Sequence, residues 1–156
     1  MRHRGFTLIE LVVTVLIVSI LATGAMPVIQ LTIKRNKETE LRASLRQIRE
    51  AIDAYKKAYD DGKIRKTIDQ SGYPPNLEIL ELGVPDQTSP KKKTIRFIRK
   101  IPRDPMSTEA EIPAVETWGK RSYESEAPSP SEGIDVYDIY SLSRQKAVNG
   151  TSYSAW

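Results

Sequence analysis

Few residues in this sequence are suited to catalysis or metal binding. The chain of 156 residues has no cysteine, and its single histidine, His3, lies near the start. These counts exclude a Cys nucleophile, a thiolate metal site and a histidine-based triad. The sequence contains no Gly-rich phosphate loop, and the spacing of its Asp and Glu residues predicts no active site. The formal net charge of +4 is too small to indicate nucleic-acid binding by itself.

One carboxylate stands out because of its surroundings. Glu10 is the only charged residue between Phe6 and Ile33, within a run of apolar side chains. An ionised side chain inside a membrane costs about 2.5–3.5 kcal/mol on insertion scales, so such a group usually has a partner or a role. No basic side chain in the run supplies the partner. Glu10 therefore either lies shallow enough to reach lipid headgroups or pairs with a group outside the run.

The segment that carries Glu10 is long enough to cross a membrane. Phe6–Met26 contains 21 residues, and about 20 apolar helical residues span a hydrocarbon core of roughly 30 Å. A secretory signal peptide has a shorter apolar region and then a small-residue cleavage site, of which Leu21–Pro27 is a weak version. A plain single-pass anchor is the other simple interpretation. Basic residues lie on both sides of the segment, so charge alone does not set its orientation.

The start of the chain resembles a processing signal. The stretch "RGFTLIELVV" resembles the signature of type IV pilins and of pseudopilins of type II secretion systems. That signature is a short basic leader ending in Gly, an aromatic first mature residue and a Glu as the fifth. The resemblance implies that a prepilin peptidase removes a cytoplasmic leader, Met1–Gly5, by cleavage between Gly5 and Phe6, and that the new amine on Phe6 is methylated. It also implies an assembly role for Pro27, near the end of the apolar stretch.

The same resemblance implies a partner for Glu10. Cleavage creates an ammonium group on Phe6, and in a filament Glu10 of one subunit would pair with the Phe6 amine of a neighbour. An ion pair at low dielectric offsets a large desolvation cost, so its main effect would be to fix the register between apolar helices. The amine of the same chain lies one helical turn away, so an internal pair in the unassembled subunit is the alternative.

The remaining sequence predicts an α+β fold. Apolar residues recur at steps of three and four, which indicates one helix face: Leu41, Leu45, Ile48, Ile52, Tyr55 and Tyr59. We expect one helix from about Phe6 to Asp60, flexible or bent at Gly24 and Pro27, with its first half transmembrane and its second half packed on a small head. A long coiled coil is the alternative, but the apolar seam is short.

The head is expected to contain a short helix and a C-terminal antiparallel β-sheet. Asn76 is a suitable N-cap for the short helix, which Gly83 and Pro85 would end. The segments 117–126 and 133–142 are typical of strands.

Four later motifs resemble, in order, those of the G-type major pseudopilin: "GYPP", "FIRKIPRDPM", "WGKRSY" and "DVYDIYSLS". The resemblance implies a leader 1–5, a transmembrane and filament-core segment 6–33 and a periplasmic head 34–156. It implies a non-enzymatic subunit, without a cofactor, of a periplasmic pseudopilus for type II protein secretion. The implied partners are copies of the same chain, minor pseudopilins, the prepilin peptidase, the inner-membrane assembly platform and membrane lipid. A major or minor type IV pilin for adhesion, motility or DNA uptake is the alternative, and a membrane-anchored enzyme or receptor is a third hypothesis.

The C-terminal stretch departs from the family pattern. Many G-type pseudopilins bind calcium in an Asp- and Gly-rich loop after the last strand, and calcium prefers six to eight oxygen ligands. Here Ser143–Trp156 contains no Asp or Glu and carries Arg144 and Lys146. We therefore expect no metal at this loop, with Tyr153 and Trp156 holding it by packing on the sheet. Backbone carbonyls with Asn149 and Ser side chains are the remaining route to weak calcium binding.

A basic tract is the other unusual feature. Lys91–Arg103 contains seven basic residues and no acidic residue. Such tracts bind nucleic acid or anionic lipid. We favour a solvated loop and strand edge that faces acidic patches on a neighbouring subunit, so nucleic acid is not an expected partner. Ile95, Ile98 and Ile101 recur every third residue and would anchor the tract to the head.

Overall fold

The computed structural model describes residues 6–67, 70–126 and 129–156, with only the backbone described for residues 24–27. Its elements are α1 (Leu8–Asp60), α2 (Glu78–Leu82), β1 (Val84–Pro85), β2 (Thr94–Ile95), β3 (Trp118–Arg121), β4 (Asp138–Ser141) and two 3₁₀ helices (Ala114–Thr117 and Tyr153–Ala155). The chain forms two compact units, one ending at Asn36 and the other comprising Lys37–Trp156, which we call the head. The predicted α+β class is confirmed.

The predicted long helix is present as α1. Its backbone is helical from Leu8 to Asp60, including Gly24 and Pro27. Only the backbone is described at these positions, so flexibility or bending at Gly24 and Pro27 stays a prediction, as does an assembly role for Pro27.

Within the head, α1 buries the predicted face. Its six apolar residues are at most 9 % exposed: Leu41, Leu45, Ile48, Ile52, Tyr55 and Tyr59. They share one core with Leu80, Trp118 and Ile139. Burying each such side chain contributes about 1.5–3 kcal/mol relative to exposure. The second half of α1 is therefore a docked helix of a small head, as predicted.

The short helix α2 has the predicted start and end. The side-chain oxygen of Asn76 accepts a hydrogen bond from the Ile79 N–H, with an N–O distance of 3.0 Å. At the other end the Gly83 N–H donates to the Ile79 carbonyl at 2.8 Å. The buried Leu80 of this helix also accepts hydrogen bonds at its carbonyl from the N–H groups of Phe97 and Ile98. This helix therefore anchors the middle of the basic tract.

The strands form two separate ladders. The predicted pair is β3–β4, antiparallel, with Trp118 opposite Ser141 and Arg121 opposite Asp138. A second antiparallel pair, β1–β2, was not predicted, and it sets Val84 opposite Ile95. Two residues are too few to show a period-two pattern, and Pro85 argues against a strand in sequence.

A buried carboxylate joins the tract to the β3–β4 ladder. Asp104 is 1 % exposed and accepts hydrogen bonds from the Ser141 hydroxyl at 2.5 Å and the Met106 N–H at 2.7 Å. Its own N–H donates to the Thr117 hydroxyl at 3.1 Å. Since an unsatisfied buried carboxylate is strongly unfavourable, these bonds fix the segment around Asp104 relative to β4 and to Thr117, the residue before β3.

Gly83 provides a test of the junction between α2 and the β1–β2 ladder. Its φ of 85° and ψ of 172° lie in a region adopted almost only by glycine, and an added Cβ would lie 2.5 Å from the Ile95 carbonyl oxygen. We expect Gly83→Ala to destabilise the head by about 2–3 kcal/mol or more, from backbone strain plus this clash. The measurement is urea unfolding of the full chain in detergent, followed by near-ultraviolet circular dichroism.

Gly150→Ala is the matched control for this substitution. Gly150 has a similar φ of 83°, but its added Cβ would meet no atom within 4 Å. We expect a loss of about 1 kcal/mol from the left-handed backbone alone. Equal losses for the two variants would show that the approach of Gly83 to Ile95 does not matter.

Candidate functional site

The first candidate site is the surface of α1 before the head. Large apolar side chains here are 40–82 % exposed: Phe6, Leu8, Ile9, Leu11, Val12, Val13, Val15, Leu16, Ile17, Val18, Ile20, Leu21, Val28, Ile29, Leu31 and Ile33. Because successive residues are apolar, the apolar surface surrounds the helix instead of forming one stripe. A helix that is apolar on all sides requires a membrane or the interior of a larger assembly. It is the one helix in the described ranges that is long and apolar enough to cross a bilayer.

The hydroxyl groups on this surface have partners within the helix. The hydroxyls of Ser19, Thr23 and Thr32 donate to carbonyls four residues earlier, at 2.8–2.9 Å, and that of Thr14 donates to the Leu11 carbonyl at 2.9 Å. A hydroxyl bonded in this way exposes no unsatisfied donor to hydrocarbon. Between Leu8 and Ile33, Gln30 and Glu10 are the other polar side chains of this surface, and of the two Glu10 carries the charge.

Glu10 lies in the first turn of α1, where Thr7 caps the helix. The Thr7 hydroxyl accepts a hydrogen bond from the Glu10 N–H at 3.3 Å, and the Thr7 carbonyl accepts one from the Leu11 N–H at 3.2 Å. Thr-x-x-Glu is the sequence pattern of a capping box, and a negative charge in the first turn interacts favourably with the helix dipole. The sequence analysis missed this role, although the pattern directly precedes the apolar run.

The carboxylate of Glu10 is available to a partner. The side chain is exposed, and among the described residues no hydrogen bond or ion pair involves its oxygens. Phe6, which would carry the proposed amine, is 80 % exposed. Gly5 lies outside the described residues. Cleavage, methylation of Phe6 and pairing with Glu10 therefore stay predictions.

The second candidate site is the C-terminal loop, which a carboxylate on α1 holds in place. Glu38 Oε1 accepts hydrogen bonds from the Val148 N–H and the Tyr153 hydroxyl, both at 2.8 Å. Tyr153 is fully buried. Sequence reasoning missed Glu38, because residues so far apart in the chain give no local signal of their contact.

Trp156 completes the attachment of this loop. Its ring packs edge-on against Tyr153, with centroids 5.1 Å apart, and the Arg42 guanidinium carbon lies 4.1 Å from the Trp156 ring centroid. Its indole N–H donates to the Thr151 hydroxyl at 2.8 Å, and Arg49 donates to its main-chain oxygen at 2.7 Å. Tyr153 and Trp156 thus attach the loop, through contacts with each other and with α1, whereas their packing on the sheet stays a prediction.

The side-chain oxygen of Asn149 already has hydrogen-bond partners. Asn149 Oδ1 accepts hydrogen bonds from the Thr151 N–H at 3.1 Å and from the Thr151 hydroxyl at 2.7 Å. In the ranges that the structure covers, no group of three or more His, Cys, Asp or Glu residues could hold a metal. The expectation of no metal at Ser143–Trp156 stays a prediction, now with a physical reason in the use of Asn149.

Comparisons with known proteins agree with the motifs. A model described as the prokaryotic N-terminal methylation motif matches residues 1–26. Type II secretion system core protein G of Vibrio cholerae serotype O1 is 26% identical over 141 residues, which cover 88% of this chain and 80% of the relative. The protein of the same name in Pseudomonas aeruginosa is 29% identical over 142 residues, which cover 88% of this chain and 83% of the relative. No solved structure gives a significant match.

The chain is therefore homologous to core protein G over most of its length and carries the methylation motif at its start. The resemblance inferred from the motifs is confirmed.

The hydrogen bond between Glu38 and Tyr153 predicts a specific pH dependence of the stability of the head. Burial and the adjacent Glu38 raise the pKa of Tyr153 to about 12, whereas an unfolded tyrosine titrates near 10. Between about pH 10 and 12 the unfolded state binds fewer protons, so the free energy of unfolding falls as pH rises. We expect Tyr153→Phe to be less stable than wild type at neutral pH and to lose less stability across this window, as measured by thermal unfolding.

Tyr123→Phe is the control, because the Tyr123 side chain is 59% exposed. It should keep the pH dependence of the wild type. Identical slopes of stability against pH for wild type and Tyr153→Phe would contradict a stabilising hydrogen bond between Tyr153 and Glu38.

Thermal unfolding with calcium and with a chelator tests the expectation that the C-terminal loop binds no metal. A calcium-dependent rise in melting temperature that Asn149→Ala removes would overturn that expectation.

Proposed function

We propose that this chain is a structural pseudopilin subunit that polymerises into a periplasmic filament for type II protein secretion. The observation that carries the proposal is the combination of an N-terminal methylation motif with homology to core protein G over most of the chain. The motif alone fits a type IV pilin equally well. The relatives' names favour the secretion system over adhesion, motility or DNA uptake.

In this proposal the exposed surface of residues 6–33 has two successive environments. It first holds the subunit in the bacterial inner membrane, with the leader 1–5 in the cytoplasm and the head in the periplasm. During polymerisation the same side chains exchange lipid for the helices of neighbouring subunits. A helix that is apolar on all sides suits both environments, because lipid and packed apolar helices solvate it similarly.

The proposed partners follow from this cycle. The prepilin peptidase cleaves between Gly5 and Phe6 and methylates Phe6, and the assembly platform adds subunits from the membrane pool. Minor pseudopilins and further copies of the chain form the filament. The subunit itself has no catalytic role. The calcium loop of related proteins is replaced by protein contacts at Ser143–Trp156.

Glu10 has two roles in this proposal. Beside the Thr7 cap, it stabilises the start of α1, and its exposed carboxylate pairs with the Phe6 ammonium of a neighbour. Between smooth apolar helices this pair defines one register, since every other register leaves a charge unpaired in a low-dielectric setting.

Processing is tested first. Gly5→Ala should leave the precursor uncleaved in a host that contains the prepilin peptidase, because the resemblance assigns recognition to the Gly at the end of the leader. Intact-mass spectrometry distinguishes the precursor from the shortened, methylated product. Arg4→Lys keeps the leader charge and should be processed normally. Cleavage of Gly5→Ala at the wild-type position would refute the assigned site.

The pairing role of Glu10 is tested by removing its charge alone. Glu10→Gln keeps the side-chain length, and the backbone N–H of residue 10 can still donate to the Thr7 hydroxyl. It should insert and be processed, yet yield at least roughly ten-fold fewer filaments, because an unpaired buried ammonium costs several kcal/mol. Filaments are counted by electron microscopy and by sedimentation of sheared material.

Thr7→Ala is the matched variant, since it removes the cap and keeps the charge. It should weaken the first turn by about 1 kcal/mol and reduce assembly much less than Glu10→Gln. If Glu10→Gln assembled normally and Thr7→Ala failed, the function of Glu10 would be helix capping and not subunit pairing.

A further inference from the structure

The basic tract presents a set of cations on the surface of the head. We call its exposed members the basic surface: Lys91, Lys92, Lys93, Arg96, Arg99 and Lys100. Within the ranges that the structure covers, none of them takes part in an ion pair. Such a concentration of one sign of charge produces a strong local field that favours an anionic partner.

The backbone of the basic surface is held firmly. Ile98 is 7% exposed and Ile101 is 2% exposed, which confirms both as anchors, whereas Ile95 is half-buried. The Phe97 ring packs edge-on against the Tyr55 ring, with their centroids 5.2 Å apart, and β2 (Thr94–Ile95) pairs with β1. The cations therefore project from a fixed segment, which lowers the entropy cost of binding.

A second segment of the head carries the opposite charge. We call Ser107–Glu116 the acidic loop, because its exposed Glu109, Glu111 and Glu116 are accompanied by no basic residue. In the described residues these carboxylates also lack ion pairs and hydrogen bonds. Arg103 ties the middle of the loop by donating to the Ile112 carbonyl at 2.7 Å.

The two charged segments have different surroundings. Ile95 and Arg96 line a groove with Ala54 and Ala58 of α1. Glu109 and Glu116 line a pocket with Gln145, beyond the end of β4. Since no ion pair joins the two segments within the described part of the chain, each remains free to meet the other on a different molecule.

We propose that the basic surface of one subunit binds the acidic loop of a second copy of this chain. Two different patches that meet in this way form a heterologous contact, which can repeat without closing and so build a filament. The inference rests on the proposed filament function and adds the head surfaces that set the contact. The charges act mainly on subunit register and association rate, as complementary surface charges usually do.

The exposed side of α1 is a less suitable partner for the basic surface. Its acidic residues Glu50 and Asp53 share that side with Arg42 and Arg46. The acidic loop contains three glutamates and no basic residue, and Arg144 lines the same pocket as two of these glutamates. The acidic loop therefore offers the larger excess of negative charge.

Anionic lipid is disfavoured by position. The groove beside the basic surface includes Ala54, which lies about 25 Å along α1 from Lys37, where the head begins. That distance exceeds two Debye lengths at physiological salt, each roughly 8 Å. Nucleic acid is disfavoured because the chain as a whole carries a formal charge of only +4.

Crosslinking tests the contact directly, because the chain has no cysteine of its own. Filaments of the full chain carrying Lys92→Cys and Glu111→Cys are treated with a short bismaleimide. We expect a ladder of multimers, because each subunit would present one cysteine to each neighbour. Lys92→Cys with Glu132→Cys, on another acidic loop, is the matched control and should give no ladder.

Charge reversal tests the energetics. Lys91→Glu/Lys93→Glu and Glu109→Lys/Glu111→Lys should each reduce filament yield at least three-fold, and the combined variant should restore it. Filament yields are measured at low and high salt, each relative to the same protein's low-salt yield. The wild type and the combined variant should lose the same fraction of filaments at high salt, because both pair opposite charges across the contact. A larger loss for the wild type would show that other charges contribute.

The outcomes separate this inference from the proposed function. Absence of wild-type filaments would refute the function itself. Normal filaments without a ladder, or reversals that change nothing, would refute only the head contact. If Lys91→Glu/Lys93→Glu assembled normally but lost binding to phosphatidylglycerol vesicles or to duplex DNA, the basic surface would instead serve lipid or nucleic acid, and the inference would be overturned.

Discussion

The structure depends on one constraint: α1 has apolar surface of two kinds. Before residue 34 its apolar side chains surround the helix, whereas from Leu41 to Tyr59 they lie on one face. A one-sided face is fully covered by a small head, and here Trp118, Ile139 and Tyr153 help to cover it. A surrounding apolar surface cannot be covered by one small head, so it requires lipid or other subunits. Anchoring and polymerisation are two ways to meet the same requirement.

Polar groups along α1 are consistent with this division. The hydroxyls of the first unit bond to its own carbonyls, and Thr7 caps the first turn. Glu10 is the one acidic residue described in that unit, and no hydrogen bond or ion pair among the described residues uses its carboxylate. In the head, by contrast, polar side chains of α1 bond to distant residues: Glu38 and Arg49 hold the C-terminal loop through hydrogen bonds. The hydroxyls of α1 before the head thus bond within the helix, whereas Glu38 and Arg49 make tertiary contacts where the head folds.

Sequence reasoning succeeded where the signal was local. The steps of three and four along α1 predicted its buried face, and Asn76 with Gly83 predicted both ends of α2. The β3–β4 strands were visible as runs of β-branched and aromatic residues. The β1–β2 ladder was not, because two residues that include Pro85 carry no period. The Thr7 cap was present in the pattern and was overlooked in favour of the charge of Glu10.

The sequence by itself determined the two α-helices, the β3–β4 strands and the N-terminal methylation motif, since each of these depends on residues within a few positions of one another. The tertiary structure decided which distant groups meet. Glu38 binds Val148 and Tyr153, and Asp104 binds Ser141, across long stretches of chain. These contacts follow from how the head packs around α1, and no local preference of either partner encodes them. The fold likewise places residues of the basic surface and of the acidic loop in the walls of different pockets.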